Sequence, residues 1–228
     1  MLRITVGLLV ALIASSGQNQ RGGVSYRIGL PPVMMVLSRA HVSGSLEYWG
    51  VCNAGLDFPK LQSLQKIADA PVDALREIFL NNPNMQVKEG PHGIIRMVER
   101  DVPEDLLALK IKRISFGGEY VPPNVIYDPG SALRVILSTP EVVAYMKAHD
   151  LGPPPGYQTV IEGQSLPSPE SPRISGNLDN VTLSEALDYV LRTFPGLWIY
   201  ENCPSDTRNR SVLFVFYQNA PEWSLVGK

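Results

Sequence analysis

Five apolar residues near the end of the chain, Leu183, Ala186, Leu187, Val190 and Leu191, recur at the three- and four-residue spacing that gathers them on one side of a helix. Thr182 stands directly ahead of the run and Glu185 three positions on, which predicts a capping box at its start. A Pro-Gly pair stops the pattern, and the chain continues as "LWIYEN", a polar turn and "SVLFVFY". The short apolar runs read as strands, the last apolar enough to be central or closing. With "RISGNLDNV" ahead of it, this region reads strand, helix, strand, strand.

The same reading applied from the other end starts order near Pro31, where "PPVMMVLSRA" predicts a helix with proline in its first turn. "HVSGSLEYWGV" alternates as a strand. In "FPKLQSLQKIADAPVDALREIFLNN", Leu61, Leu64 and Ile67 are followed by Ala74, Leu75, Ile78 and Phe79 on one helical face. "MQVKEGPHGIIRMVE" gives two short strands around a Gly-Pro-His-Gly turn, with Val87, Ile95 and Met97 assigned to a sheet face. A helix starting near Pro103 is expected to run into a strand bearing Ile111 and Ile114. Two further helices follow, one capped by Ser131 and one opened by Thr139-Pro140-Glu141, the second amphipathic through Val142, Val143 and Met146 and stopped at Gly152. Residues 152–172 hold six prolines with Gly and Ser, the composition of an extended linker.

Composition narrows the class of protein. Of 228 residues 44% are hydrophobic and 18% charged, enough apolar material for a core. Lys and Arg number 20 against 22 Asp and Glu, a net charge of -2 that draws the chain neither to nucleic acid nor to anionic lipid. Residues 1–17, "MLRITVGLLVALIASSG", have the short apolar run and small-residue end of a signal peptide, too short to span a bilayer. The expected location is therefore periplasmic or secreted, with no transmembrane segment after cleavage. In an oxidising compartment the two cysteines, Cys52 and Cys203, are either a disulfide closing a very long loop or two separate thiols, and the sequence leaves both open.

Residues 73–87, "DALREIFLNNPNMQV", align with 185–199, "EALDYVLRTFPGLWI", at a constant offset, matching Ala-Leu with Ala-Leu, Pro83 with Pro195 and Val87 with Ile199. The same helix-and-hairpin unit is thus used twice. The second copy resembles the short N-terminal domain shared by secretins and TonB-dependent receptors, on Val181, Thr182, Leu183, Ala186, Leu187, Leu191, Gly196 and Leu197. The first copy is a divergent version, with Asn84 where Gly196 stands later. The resemblance implies small α+β modules in the periplasm that contact an envelope protein partner and perform no chemistry; no pore or receptor barrel is expected after them.

Reactive constellations are sparse. His41, His92 and His149 have no metal-type spacing with one another or with the cysteines, so neither metal nor cofactor is expected, and no catalytic residue is assigned. Glu99, Asp101, Glu104 and Asp105 form an acidic run that reads either as a hydrolytic or cation-binding group or as the acidic first turn of a helix. Trp198 and Tyr200 alternate on one strand face and read either as core or as an exposed patch for a partner or glycan.

The expected molecule is an α+β protein of two helix-on-sheet modules with a helical middle. Its segments are a signal peptide (1–17), a leader (18–30), a first module (31–118), a helical segment (119–151), the Pro-rich linker (152–172), a second half-module (173–220) and a tail (221–228). The expected function is a non-enzymatic interaction or scaffold module of the envelope. The alternative is an envelope hydrolase or glycan-binding protein using the acids near Asp101.

Overall fold

The computed structural model describes residues 25–49, 70–117, 126–149, 172–202 and 211–216. The signal segment, Cys52, Cys203, the Leu61–Leu64–Ile67 face, Gly152 and all but the last residue of the Pro-rich stretch lie outside them. The fold is α+β, as expected. Its elements are α1 (Ser25–Ala40), β1 (Gly44–Trp49), α2 (Pro71–Ile78), β2 (Met85–Glu89), β3 (Ile95–Glu99), β4 (Lys110–Ser115), α3 (Pro129–Leu137), α4 (Pro140–Ala148), β5 (Asn177–Thr182), α5 (Leu183–Thr193), β6 (Gly196–Asn202) and β7 (Ser211–Phe216).

Five strands form one sheet in the order β2-β3-β1-β6-β7, and β4 and β5 form a separate antiparallel pair. β1 runs parallel to both β3 and β6, and each of these carries an antiparallel neighbour on its far side. The two helix-and-hairpin units expected as separate modules therefore share a sheet, joined through β1. The boundary drawn at 118 is also crossed by β4, whose partner β5 belongs to the expected second half-module. Parallel pairing on both edges of β1 explains the union, because it leaves neither hairpin an independent sheet to complete.

The aligned units differ in one further respect. In the first, Val87 lies on the sheet face packed by α2, beside Leu75, Ile78, Ile95 and Met97. In the second, Ile199, the counterpart of Val87, also faces that side, whereas α5 packs on the opposite face against Trp198 and Tyr200. A difference of strand position accounts for this. β2 is an edge strand and alternates buried with exposed residues, while β6 is inside the sheet and buries Leu197, Trp198, Ile199 and Tyr200 on both faces.

One face of the sheet is closed by α1 and α2, through Val33, Met34, Val36, Leu37, Leu75, Ile78 and Phe79. The fit at the start of β1 is close: a Cβ on Gly44 would stand 3.0 Å from the Ile95 carbonyl oxygen and 3.1 Å from Leu37 Cδ1. α1 begins at Ser25 rather than at the prolines, so Pro31 and Pro32 sit inside it, each without an N–H for the carbonyl four residues back. The buried α1 residues nevertheless follow the prolines, and this is the part that the apolar pattern located.

The second core lies on the other face, built from α5, α3, Val142 of α4, and Ile111, Ile114 and Phe116 of the β4 region. Ile111 and Ile114 are both buried although strand neighbours three apart should face opposite ways. The ladder breaks between them: Lys112 and Asn180 are not paired, Asn180 is left-handed at φ 54°, and the Lys112 N–H donates to Glu141 Oε1 at 3.3 Å. The helix expected near Pro103 is instead a pair of turns, with Ala108 N–H on the Glu104 carbonyl and Leu109 N–H on that of Leu106, because the chain enters β4 at Lys110 before a helix has room to propagate. Asp128, not Ser131, caps α3, accepting the Ser131 N–H at 2.7 Å. Thr139 precedes α4 without capping it, since its hydroxyl donates to the Ile136 carbonyl at 2.8 Å. Val143, expected on the buried face of α4, is exposed.

The capping box at α5 is present. Thr182 Oγ1 accepts the Glu185 N–H at 3.2 Å, and Glu185 Oε2 accepts the Thr182 N–H at 2.6 Å. The N–H of Thr182, followed by its hydroxyl, holds the exposed Glu185 carboxyl below the ordinary range. Thr182→Ala should lower stability by about 1 kcal/mol in chemical denaturation, with Thr182→Ser close to wild type.

Candidate functional site

The apolar pattern assigns α5 one buried stripe, and Leu183, Ala186, Leu187, Val190 and Leu191 are all buried. Asp188 is buried with them, at the edge of the stripe, and faces the sheet. What it meets there follows from strand register. Parallel pairing sets Ser45 of β1 opposite Arg96 of β3 on one side and Trp198 of β6 on the other, and sets Glu47 one step along beside Val98 and Tyr200. Because side chains alternate across a strand, all six project to the face that α5 covers.

Arg96 organises this row. Its Nη1 donates to Ser45 Oγ at 3.2 Å and to Glu47 Oε1 at 3.3 Å, and its Nη2 donates to Asp188 Oδ2. Ser45 passes its own hydroxyl proton toward Glu47 Oε1 at 3.0 Å. The small serine leaves the guanidinium free to cross β1 and lie over the Trp198 ring, 5.2 Å from its centroid. Trp198 Nε1 closes the network by donating to Asp188 Oδ1 at 2.8 Å. The charged side chains are only 7 to 13% exposed, so these contacts act in a medium far less polar than water.

Two carboxylates share one guanidinium. Burial raises the pKa of Glu47; Arg96 and the Ser45 hydroxyl oppose the rise, and Glu104 adds to it. Burial likewise raises Asp188, against Arg96, the Trp198 N–H, Arg192 and His92. The cluster can hold and release a proton and can clamp a helix to a sheet. It lies between packed layers, not in an open cleft.

No family model matches the chain, and no curated protein or solved structure matches it. The candidate residues are therefore judged on geometry.

Trp198 and Tyr200 are fully buried, so of their two readings the core one holds and the exposed interaction patch does not: α5 covers the face on which they alternate. The acidic run is dispersed along the turns after β3. Asp101 is exposed at φ 68°, Asp105 accepts the Tyr145 hydroxyl, and Glu104 acts on Glu47 through space. Among the described residues no group of three or more His, Cys, Asp or Glu is placed to hold a metal ion. His41 and His92 are exposed in left-handed turns, and His149 ends α4 stacked on Tyr145 with ring centroids 4.1 Å apart.

Nothing in the local spacing marks Ser45, Glu47, Arg96 or Asp188 as a functional group. Polar residues alternating with Leu46 in β1 and with Ile95 and Met97 in β3 look like a solvent face. The available signal was positional: Asp188 stands one step from Leu187 on the helix stripe, in a helix that must cover something.

Among the described residues β2 is an outer edge of the sheet, and this is the other feature with functional content. Asn84 and Gly90 bond to Arg100 and Ile94, so antiparallel alternation turns the backbone groups of Met85, Val87 and Glu89 away from β3. Two of these groups are occupied: Met85 N–H by the Asn82 carbonyl at 2.9 Å, and the Val87 carbonyl by Arg76 Nη2 at 3.3 Å. Arg76 also pairs with Asp73 at 2.8 Å, beside an open depression lined by Ala70, Pro71, Val72 and Glu89.

Proposed function

We propose that this chain is an exported protein–protein interaction module of the cell envelope. The observation that carries the reading is the β2 edge, a strand with backbone groups turned outward and exposed Gln86 and Lys88 beside them, open to an extended segment of a partner by strand addition. Arg76 is the removable cover of that edge, since an incoming strand would take the Val87 carbonyl from it. Support also comes from the likeness of residues 181–197 to the secretin and TonB receptor short domain. The ionisable side chains that do converge, those around Arg96, lie between helix and sheet and not in a cleft. Among the described residues no helix is long and apolar enough to cross a membrane.

Photocrosslinkers placed at Gln86 or Lys88 in living cells should capture a discrete envelope protein, and one at exposed Ala144 on α4 should not. The crosslinker-bearing chain itself should begin after the small residues that end 1–17. Equal labelling at all three sites would refute the edge, and an intact Met1 on a cytoplasmic chain would refute export.

A further inference from the structure

We propose that Glu47, Arg96 and Asp188 form a proton-responsive clasp that holds α5 on the sheet. With a proton on Glu47 the cluster is neutral and closed. Without it, one uncompensated negative charge lies between helix and sheet and favours release of α5. This goes beyond the interaction reading and does not depend on it.

The charge count is what points to such a device. One guanidinium faces two carboxylates, each on a different element, and the three side chains are nearly buried. A buried charge without a partner is costly, and the cluster avoids it by taking up a proton or by opening to water. Hydrogen bonding says where the proton goes. Both Asp188 oxygens already accept N–H donors, from Arg96 and Trp198, so protonating Asp188 would break a bond. Both described bonds to Glu47 fall on Oε1, leaving Oε2 for the proton. The other groups that face the pair are the charged Glu104 from the turn after β3 and Arg192 from α5 itself, and the titratable His92 from the turn between β2 and β3. Glu104 and Arg192 offset each other in sign and leave the excess negative charge in place.

The partner elements make release of α5 informative. α5 alone supplies Asp188, whereas Glu47 and Arg96 belong to adjacent strands of the sheet and stay together when the helix lifts. Opening therefore hydrates Asp188 and gives Arg96 to Glu47 alone, so each carboxylate is ionised without a shared partner.

The test uses the full chain. Carboxyl carbon NMR should show Glu47 titrating above the ordinary carboxylate range. Hydrogen exchange of α5 amides, corrected for the intrinsic base-catalysed rate, should show an opening constant that rises with pH through that titration by up to about tenfold per pH unit. Glu47→Gln keeps a hydrogen-bonding side chain and removes the excess charge, so it should flatten this slope and keep α5 closed at neutral pH. His92→Asn, which suits the left-handed position, should leave the slope intact. Glu47 titrating at or below the ordinary carboxylate value in the wild type would overturn the proposal whether or not the variants fold. So would an unchanged slope in Glu47→Gln or a lost slope in His92→Asn.

Discussion

Arg96→Ala is expected to cost the fold about 3–5 kcal/mol near neutral pH, read as a fall in the urea midpoint at unchanged slope. The loss comes from what is left behind. Glu47 and Asp188 would both remain between α5 and the sheet, and the guanidinium that now serves them would be gone. Their folded-state pKa values are already raised with Arg96 present, and removing it raises them further. The pH dependence follows from that sign. A carboxyl whose pKa is higher in the folded state than in the unfolded state favours folding below the unfolded value and loses that contribution as pH rises through the folded one. The deficit of Arg96→Ala should therefore shrink below about pH 4, where both carboxyls are protonated, and be full above the raised values. Denaturation at pH 4 and pH 7.5 checks this; an equal deficit at both would mean that the carboxylates do not depend on Arg96. Arg96→Lys, which retains the charge and loses the fork that reaches three partners, should fall in between.

The second large effect is at Trp198. Trp198→Ala should destabilise by about 3–5 kcal/mol, the usual cost of deleting a large buried aromatic side chain. A surface aromatic would move the midpoint little, so the measurement separates the two readings of this residue directly. Trp198→Phe resolves the effect further. It retains most of the ring packing against α5 but leaves Asp188 Oδ1 without its N–H donor, at a cost of about 1–3 kcal/mol for an unsatisfied buried acceptor. The Phe variant should also show a steeper fall of stability with rising pH than the wild type, because a bond that favours the ionised form of Asp188 has been lost.

These two residues illustrate how far the candidate site was legible in the chain. The spacing places Trp198 and Tyr200 on one face of their strand, as the structure has them. Which face they occupy could not be converted into exposure, because that depends on whether a helix lies over the face. Arg96 was invisible for the opposite reason: in "IRMVE" it occupies the position that any edge or half-exposed strand gives to solvent. Helix ends were more legible, since a capping box is a contact between residues three apart and needs no other part of the fold. Thr182 and Glu185 accordingly stand as the spacing predicts. Ser131 stands inside the first turn instead of capping it, because the helix starts three residues earlier at Asp128, whose carboxylate accepts the Ser131 N–H.

By itself the sequence determined the local units: the stripe of α5 and its cap, the apolar face of α2, and the hairpin of β2 and β3 with Val87, Ile95 and Met97 on one side. Such features depend on spacing over a few residues, where helix and strand periods act directly. Tertiary structure alone decided that both hairpins join one sheet through β1, that α2 and α5 take opposite faces of it, and that Ser45, Glu47, Arg96 and Trp198 are drawn into a row beneath Asp188. Those outcomes depend on strand register and on which surface a helix covers. Both are long-range choices made by burying the most apolar area together, and only after they are made does a polar residue on a strand become a buried charge that must find its partner.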